Sequence, residues 1–232
     1  YSLRKSVAIE ELENYMKRWC EKALGWVKVY SLGESGGYPI LCGEFTNPKI
    51  KKEEKEVVII TAQHSAEITG MTSALSVGNY LATLNETARK ILDHQIILIL
   101  PCSNCYLYSK LEDDNQYRNK RKYLYMANEA GLDEYYAFGQ TMAVDREKTP
   151  VAAIIKDLVD KWKPELILDV HGLWFNEAIM AEHDGCLSGN YLNRTYDRRF
   201  TDEMQKAAEE AGYAILNEDT CESVIPTDPI CS

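Results

Sequence analysis

The 232-residue chain is 45% hydrophobic and 27% charged, the values of an ordinary globular protein with enough apolar surface for a sizeable core. Its formal net charge of −10 disfavours polyphosphate ligands, so nucleic acid is not an expected partner. No apolar stretch approaches the ~18 residues that a membrane span needs, the longest being the strand-length Ile96 to Leu100.

Val7 to Leu24 places Ile9, Leu12, Met16, Trp19 and Ala23 at helical spacing and predicts a first helix. Trp26 to Tyr30 and Tyr38 to Cys42 read as strands, joined by a Gly-rich loop of several residues, Gly33-Glu34-Ser35-Gly36-Gly37. The basic run Lys51-Lys52-Glu53-Glu54-Lys55 carries acids within it and is expected to be a solvated loop. Val57 to Thr61 is a short β-branched run of the kind buried on both faces, and a helix is expected from about Ile68 to Leu84. Asn85-Glu86-Thr87 and Asn193-Arg194-Thr195 fit the glycosylation triplet, which matters only in a secreted eukaryotic protein. Ile96 to Leu100 is a second buried strand, stopped by Pro101. Residues 105 to 150 are polar, aromatic and irregular. Pro150 opens a helix to Trp162, where its missing N–H costs nothing. Leu166 to Val170 is a third buried strand, Phe200 to Ala211 an amphipathic helix, and Tyr213 to Leu216 a last strand.

Buried strands alternating with helices imply an α/β fold. One domain over residues 1–232 is expected, with a mixed, largely parallel central sheet and helices on both faces. Ligands of such sheets sit beyond the carboxyl ends of the strands. Here those ends are followed by Gln63-His64-Ser65-Ala66-Glu67, by Pro101 and Asn104, and by His171.

His64 and Glu67 stand three apart at a helix entry, which puts both side chains on one side of the turn, and His171 arrives from another strand. Two imidazoles and a carboxylate form the three-ligand set of a catalytic zinc, with one position left for water. Taken alone, His-x-x-Glu is a weakly specific pattern. Of the remaining histidines, His94 precedes a strand at the opposite end of the sheet, and His183 follows a possible strand from Ala178 to Ala181. Cys102-Ser103-Asn104-Cys105 is a C-x-x-C pair with no second pair to complete a four-thiolate site. The seven cysteines are odd in number and irregularly spaced, which favours reduced thiols and a cytoplasmic setting over a disulfide framework. No leader peptide is evident; the chain begins at Tyr1 instead of Met, so a removed leader stays open.

The order of these features resembles the zinc carboxypeptidases, the carboxypeptidase A-like metallopeptidases and the related deacylases of the same fold. Leu32 to Ile40 resembles the family's Gly-x-Ser…Gly-Arg-Pro-Ile hairpin. Gln63 to Gly70 resembles its His-x-x-Glu zinc motif with the following Gly, and Pro101-Cys102-Ser103-Asn104 its Pro-x-x-Asn. Lys163 to His171 resembles its Lys-Pro-Asp-Leu…Asp-x-His strand. The likeness runs from about residue 8 to 215.

The resemblance implies a zinc carboxypeptidase-like hydrolase holding one zinc ion through His64, Glu67 and His171. It implies a peptide or acylated amino-acid substrate. Arg118, with Arg121 second, stands where the family places the arginine that stabilises the oxyanion. Asn104 and the Asp145-Arg146 pair are expected on the substrate side, Arg146 gripping a carboxylate. Asp145 departs from the family's Asn-Arg pair, since an acid there repels a carboxylate or neutralises Arg146. The family's general base is a glutamate on a late strand. Glu177, Glu182, Glu218 and Glu222 are not assigned that role, and no capping tyrosine is placed. The domain is therefore expected to lack its C-terminal strand and helix, or the protein its base. Two rivals stay open: a deacylase of N-acyl amino acids, and a zinc-retaining binding protein without catalysis. The long segment at 105 to 150 favours a peptidase over a deacylase. A further strand with a glutamate after Ser232 would favour an enzyme over the binding protein.

Overall fold

A computed structural model describes residues 7–64, 68–113, 144–171, 185–186, 194–213 and 215–216. Its contacts separate two units, Tyr1–Ala137 with Met142–Gly172, and Phe138–Thr141 with Leu173–Ser232.

In the first unit the three apolar runs form the parallel part of a five-stranded sheet, the third of them, expected to be buried, being only half-buried and last in the order. They are β3 (Glu56–Thr61), β4 (Gln95–Leu100) and β5 (Leu166–Asp169), beside the hairpin β1 (Val27–Ser35) and β2 (Tyr38–Phe45). The order is β1-β2-β4-β3-β5. β3 runs parallel to both β4 and β5, whereas β2 lies antiparallel to β4 and to β1. The sheet is thus mixed, as read from the sequence.

Alternation along the strands divides the core. Val58, Ile60, Ile97 and Ile99 point to one face, under Leu12, Met16 and Trp19 of α1 (Ile9–Lys22) and Met71, Ala74 and Leu75 of α2 (Ile68–Leu81). Leu92 of α3 (Glu86–His94) and Tyr108 of α4 (Cys105–Asp113) complete this layer. Ile59 and Leu98 are equally buried on the other face, with Ile40. There α5 (Pro150–Trp162) buries Val151, Ala152, Ile155 and Leu158, and its Ile154 approaches Gly33 of β1, the register partner of Ile40. Pro150 occupies the first turn of α5, where the sequence placed it.

Several expectations are corrected. The hairpin loop is shorter than read: Ser35 pairs with Tyr38, leaving only Gly36 and Gly37, with φ of 55° and 84°. Two positive φ values in succession are what a tight two-residue hairpin turn needs, and glycine supplies them without Cβ strain. The solvated-loop reading of 51–55 fails at Lys55, which is buried. Its Nζ donates to Thr46 Oγ1 at 2.6 Å, Asn47 O at 2.8 Å and Leu92 O at 3.0 Å, and burial lowers its pKa. Residues 105–113, read as irregular, form α4.

The helix α3 went unforeseen, and its start explains Asn85. The Asn85 side chain accepts a hydrogen bond from the Ala88 backbone N–H at 2.8 Å, so the first residue of the glycosylation triplet is the helix N-cap. Asn85→Ala is expected to lower stability by about 1 kcal/mol, read as a lower denaturant midpoint with an unchanged slope. Wild-type stability in this variant would show that the cap is redundant.

In the second unit, α6 (Arg194–Glu210) begins six residues earlier than Phe200, the start expected from the sequence. It ends through Gly212 at φ 88°, a left-handed stop, with Tyr213 N–H donating to Ala208 O at 3.0 Å. β6 (Gly185–Cys186) pairs in parallel with β7 (Ile215–Leu216).

Candidate metal centre

The register of the parallel strands builds the rim. Thr61 at the end of β3 lies opposite both Leu100 of β4 and Asp169 of β5, so three carboxyl ends finish side by side. The pairing continues past the strands. Ala62 N–H donates to Leu100 O at 3.0 Å, and Val170 N–H to Thr61 O at 2.7 Å. The chain therefore leaves two neighbouring strands in step, carrying His64 from one and His171 from the other.

These two histidines meet. The Nδ1 atoms of His64 and His171 lie 3.1 Å apart, with the rings edge-on at 78° and their centroids 4.4 Å apart. Two imidazole nitrogens bound to one tetrahedral zinc at about 2.0–2.1 Å stand about 3.3 Å from each other. The observed gap is close to that spacing. His64 is buried, whereas the His171 side chain is 39% exposed, so the pair is reachable from one side.

The protonation of His171 is set by its other neighbour. Its Nε2 lies 3.0 Å from Asp169 Oδ2, and a carboxylate oxygen accepts, so the proton belongs on Nε2. A neutral ring protonated there keeps its Nδ1 lone pair, which faces His64 Nδ1 at 3.1 Å and can accept from it. The carboxylate–imidazole arrangement is the usual support of a metal-bound histidine. The donors described here fit a divalent cation of the zinc type. Among the described residues no group of three His, Cys, Asp or Glu is assembled, and Glu67, the third expected donor, lies outside them.

Gln63 and Asp169 received no role from the sequence. Gln63 Nε2 donates to Asp169 Oδ2 at 3.1 Å, so that oxygen accepts from both Gln63 and His171. The available signal was spacing: residues two apart in extended chain share a side, which sets Asp169 with His171.

The other expected residues are placed as follows. Asn104 is buried, and its Oδ1 accepts from Leu107 N–H at 3.1 Å, which caps α4. Asp145 Oδ1 accepts from the backbone N–H groups of Glu147 at 3.0 Å and Lys148 at 3.2 Å, bonds that hold its carboxyl below the usual range. Arg146 does carry a neutralising acid, but that acid is Asp157: Nη1 and Nη2 donate to its two oxygens at 2.6 and 2.5 Å. The pair is exposed, and the guanidinium holds the Asp157 carboxyl below its ordinary pKa. Arg118, Arg121, His183, Glu177, Glu182, Glu218 and Glu222 lie outside the described residues. His94 is exposed at the end of α3, opposite the rim.

The C-x-x-C pair is buried and its thiols are unpaired by disulfide. The hydrogen bond that the Cys105 thiol makes to Cys102, with burial, raises the Cys105 pKa well above that of a free thiol. Burial likewise pushes the Cys42 thiol up to about 12. Reactive cysteines show the opposite shift.

Comparison with known proteins bears on this rim. The family described as zinc carboxypeptidase matches residues 12–220. Solved structures with a similar fold include a metallo-carboxypeptidase from Burkholderia cenocepacia, 20% identical with a TM-score of 0.55, over 71% of this chain and 40% of that one. Another is the carboxypeptidase A from Helicoverpa armigera, 17% identical with a TM-score of 0.58, over 73% of this chain and 46% of that one. The alignment thus covers less than half the length of either. No curated protein matches the sequence.

Proposed function

From the premise that the chain belongs to the zinc carboxypeptidase family, we propose that it is a zinc-dependent hydrolase of peptide or amide bonds, with His64, Glu67 and His171 as the ligands of one ion. The observation that carries this reading is the approach of two Nδ1 atoms to 3.1 Å at the tips of adjacent parallel strands, one ring held by a carboxylate. The same 3.1 Å approach lets one ring donate to the other, a bond that a bound ion would replace.

The chemistry that zinc supplies at such a site is Lewis acidity, which polarises a carbonyl and acidifies water. The chain's own residues do the rest. Asp169 keeps the His171 proton on Nε2, away from the ligand side. Arg118 is proposed to stabilise negative charge as it develops on the carbonyl oxygen. Arg146 is proposed to orient the substrate through a carboxylate, for which it must first release Asp157. Asn104 and Asp145 complete the proposed substrate side. Their hydrogen bonds to α4 and to the turn before α5 fix them in place.

Metal analysis tests the ligand set. The purified chain is expected to hold one zinc ion per molecule after dialysis. His64→Ala and His171→Ala are each expected to lose it while keeping the wild-type far-ultraviolet circular dichroism spectrum. Stoichiometric zinc retained in either variant removes that histidine from the set.

A further inference from the structure

We propose that Asp169, steadied by Gln63, is a positioning residue that fixes the tautomer and orientation of His171 and thereby sets the metal affinity of the rim. The proposal rests on the metal reading above and extends it to two residues that do not touch the metal.

Three observations support it. First, Asp169 Oδ2 is the meeting point of two donors, His171 Nε2 at 3.0 Å and Gln63 Nε2 at 3.1 Å. Two donors on one oxygen fix the direction of the carboxylate, and the carboxylate fixes the ring. Second, Asp169 is well shielded, its side chain 12% exposed against 39% for His171, and Gln63 is buried. A shielded charge-assisted hydrogen bond is stronger than one in water, so the ring orientation persists although its outer edge is wet. Third, Gln63 directly precedes His64, and Asp169 stands two residues before His171. The Gln63–Asp169 bond therefore ties together the two tips that carry the histidines, in addition to the 2.7 Å backbone bond from Val170 to Thr61. A movement of either tip strains this link.

The chemical consequence is specific. An imidazole protonated on Nδ1 presents a hydrogen to the cation and cannot ligate through that atom. In the Nδ1–H tautomer the bare Nε2 lone pair would face the carboxylate oxygen at 3.0 Å, and that repulsion disfavours it. Asp169→Asn keeps the shape but offers an amide that can donate to Nε2, which stabilises the wrong tautomer. Loss of such a supporting partner lowers metal affinity about 10- to 100-fold.

The test measures zinc affinity by chelator competition and, on zinc-free protein, the His171 ring tautomer by ¹⁵N-resolved nuclear magnetic resonance. The expected results are Nε2–H in the wild type, an increased share of Nδ1–H in Asp169→Asn, and a zinc dissociation constant raised about 10- to 100-fold in that variant. Gln63→Leu is expected to weaken zinc less, with Nε2–H retained, because only the steadying bond is lost. Unchanged affinity in Asp169→Asn overturns the proposal, as does a wild-type ring protonated on Nδ1. If Asp169→Asn fails to fold, the wild-type tautomer and Gln63→Leu still decide. Failure of the metal reading looks different: the unaltered chain then takes up no zinc, while His171 still carries its proton on Nε2.

Discussion

Gly70→Ala is expected to lower stability by about 1–3 kcal/mol, the range for overpacking, and, on the proposed metal reading, to weaken zinc binding. A Cβ on Gly70 would stand 2.4 Å from the carbonyl oxygen of Val170, 3.2 Å from its carbonyl carbon and 3.4 Å from that of His171. All three obstacles are backbone atoms, so no side-chain rotation relieves them. Either the first turn of α2 withdraws, or the chain between Asp169 and His171 is pushed aside. The second course stretches the 2.7 Å bond from Val170 N–H to Thr61 O and moves His171 away from His64. Alanine is the better helix former by about 1 kcal/mol, which offsets part of the strain without removing the contact. Unfolding midpoints and zinc stoichiometry measure the two effects separately. A Gly70→Ala protein with wild-type midpoint and full zinc would show that the helix and the strand end part freely, contrary to the packing described. Gly212→Ala is an informative comparison: a Cβ there meets no atom within 4 Å, but φ is 88°, so its cost is one of backbone conformation alone.

The same glycine shows what the sequence disclosed and what it withheld. The buried runs 57–61 and 96–100 are legible because a strand covered on both faces needs uninterrupted apolar residues, whereas 166–169 has the same apolar pattern but is only half-buried at the end of the described sheet. Reading the ends of those runs brought His64, Asn104 and His171 to one rim; the register sets Thr61, Leu100 and Asp169 side by side and the two histidines meet, whereas Asn104 is buried as the cap of α4. The reason for Gly70 was not legible: a glycine in a helical pattern gives no sign of which backbone will pass over it. Asp169 was similarly hidden. Within Leu166-Ile167-Leu168-Asp169 it is the one acid in an apolar run, but its partner is set by where the neighbouring tip places Gln63. Arg146 marks the limit of local reading. Its adjacent acid, Asp145, was weighed as the neutralising charge, yet Asp145 is taken up by backbone N–H groups. The fork is filled by Asp157, about two turns into α5. Residues 86–94 failed as a helix signal because two and a half turns give few apolar repeats, and Asn85 fits a sugar-acceptor pattern as well as a cap.

Trp19→Ala is expected to cost about 3–5 kcal/mol, the range for removing a buried aromatic side chain. The indole is wholly buried and fills space that two glycines leave open. A Cβ on Gly43 of β2 would lie 2.9 Å from Cζ3, and one on Gly78 of α2 would lie 2.4 Å from Cζ2. Phe45 packs against it at a ring separation of 5.3 Å, and Tyr15 meets it edge-on at 6.5 Å. Truncation leaves a cavity between Gly43 of β2 and Gly78 of α2. It also strips Asn79 Oδ1 of the 2.9 Å bond from the indole Nε1–H, in a chain that continues from Asn79 Nδ2 to the Tyr15 hydroxyl at 2.7 Å. A domain is stable by only about 5–15 kcal/mol, so this one substitution removes a large share of the total. Denaturant titration in the presence of a chelator measures it, because bound zinc would add its own stabilisation to the folded state. Trp19→Phe is expected to fall between, regaining apolar contact but not the hydrogen bond. Because Trp19 bears on Gly78, two turns along α2 from Gly70, the folded fraction of Trp19→Ala is expected to retain zinc. The opposite pattern, full stability without zinc, would reverse the assignment of core and rim.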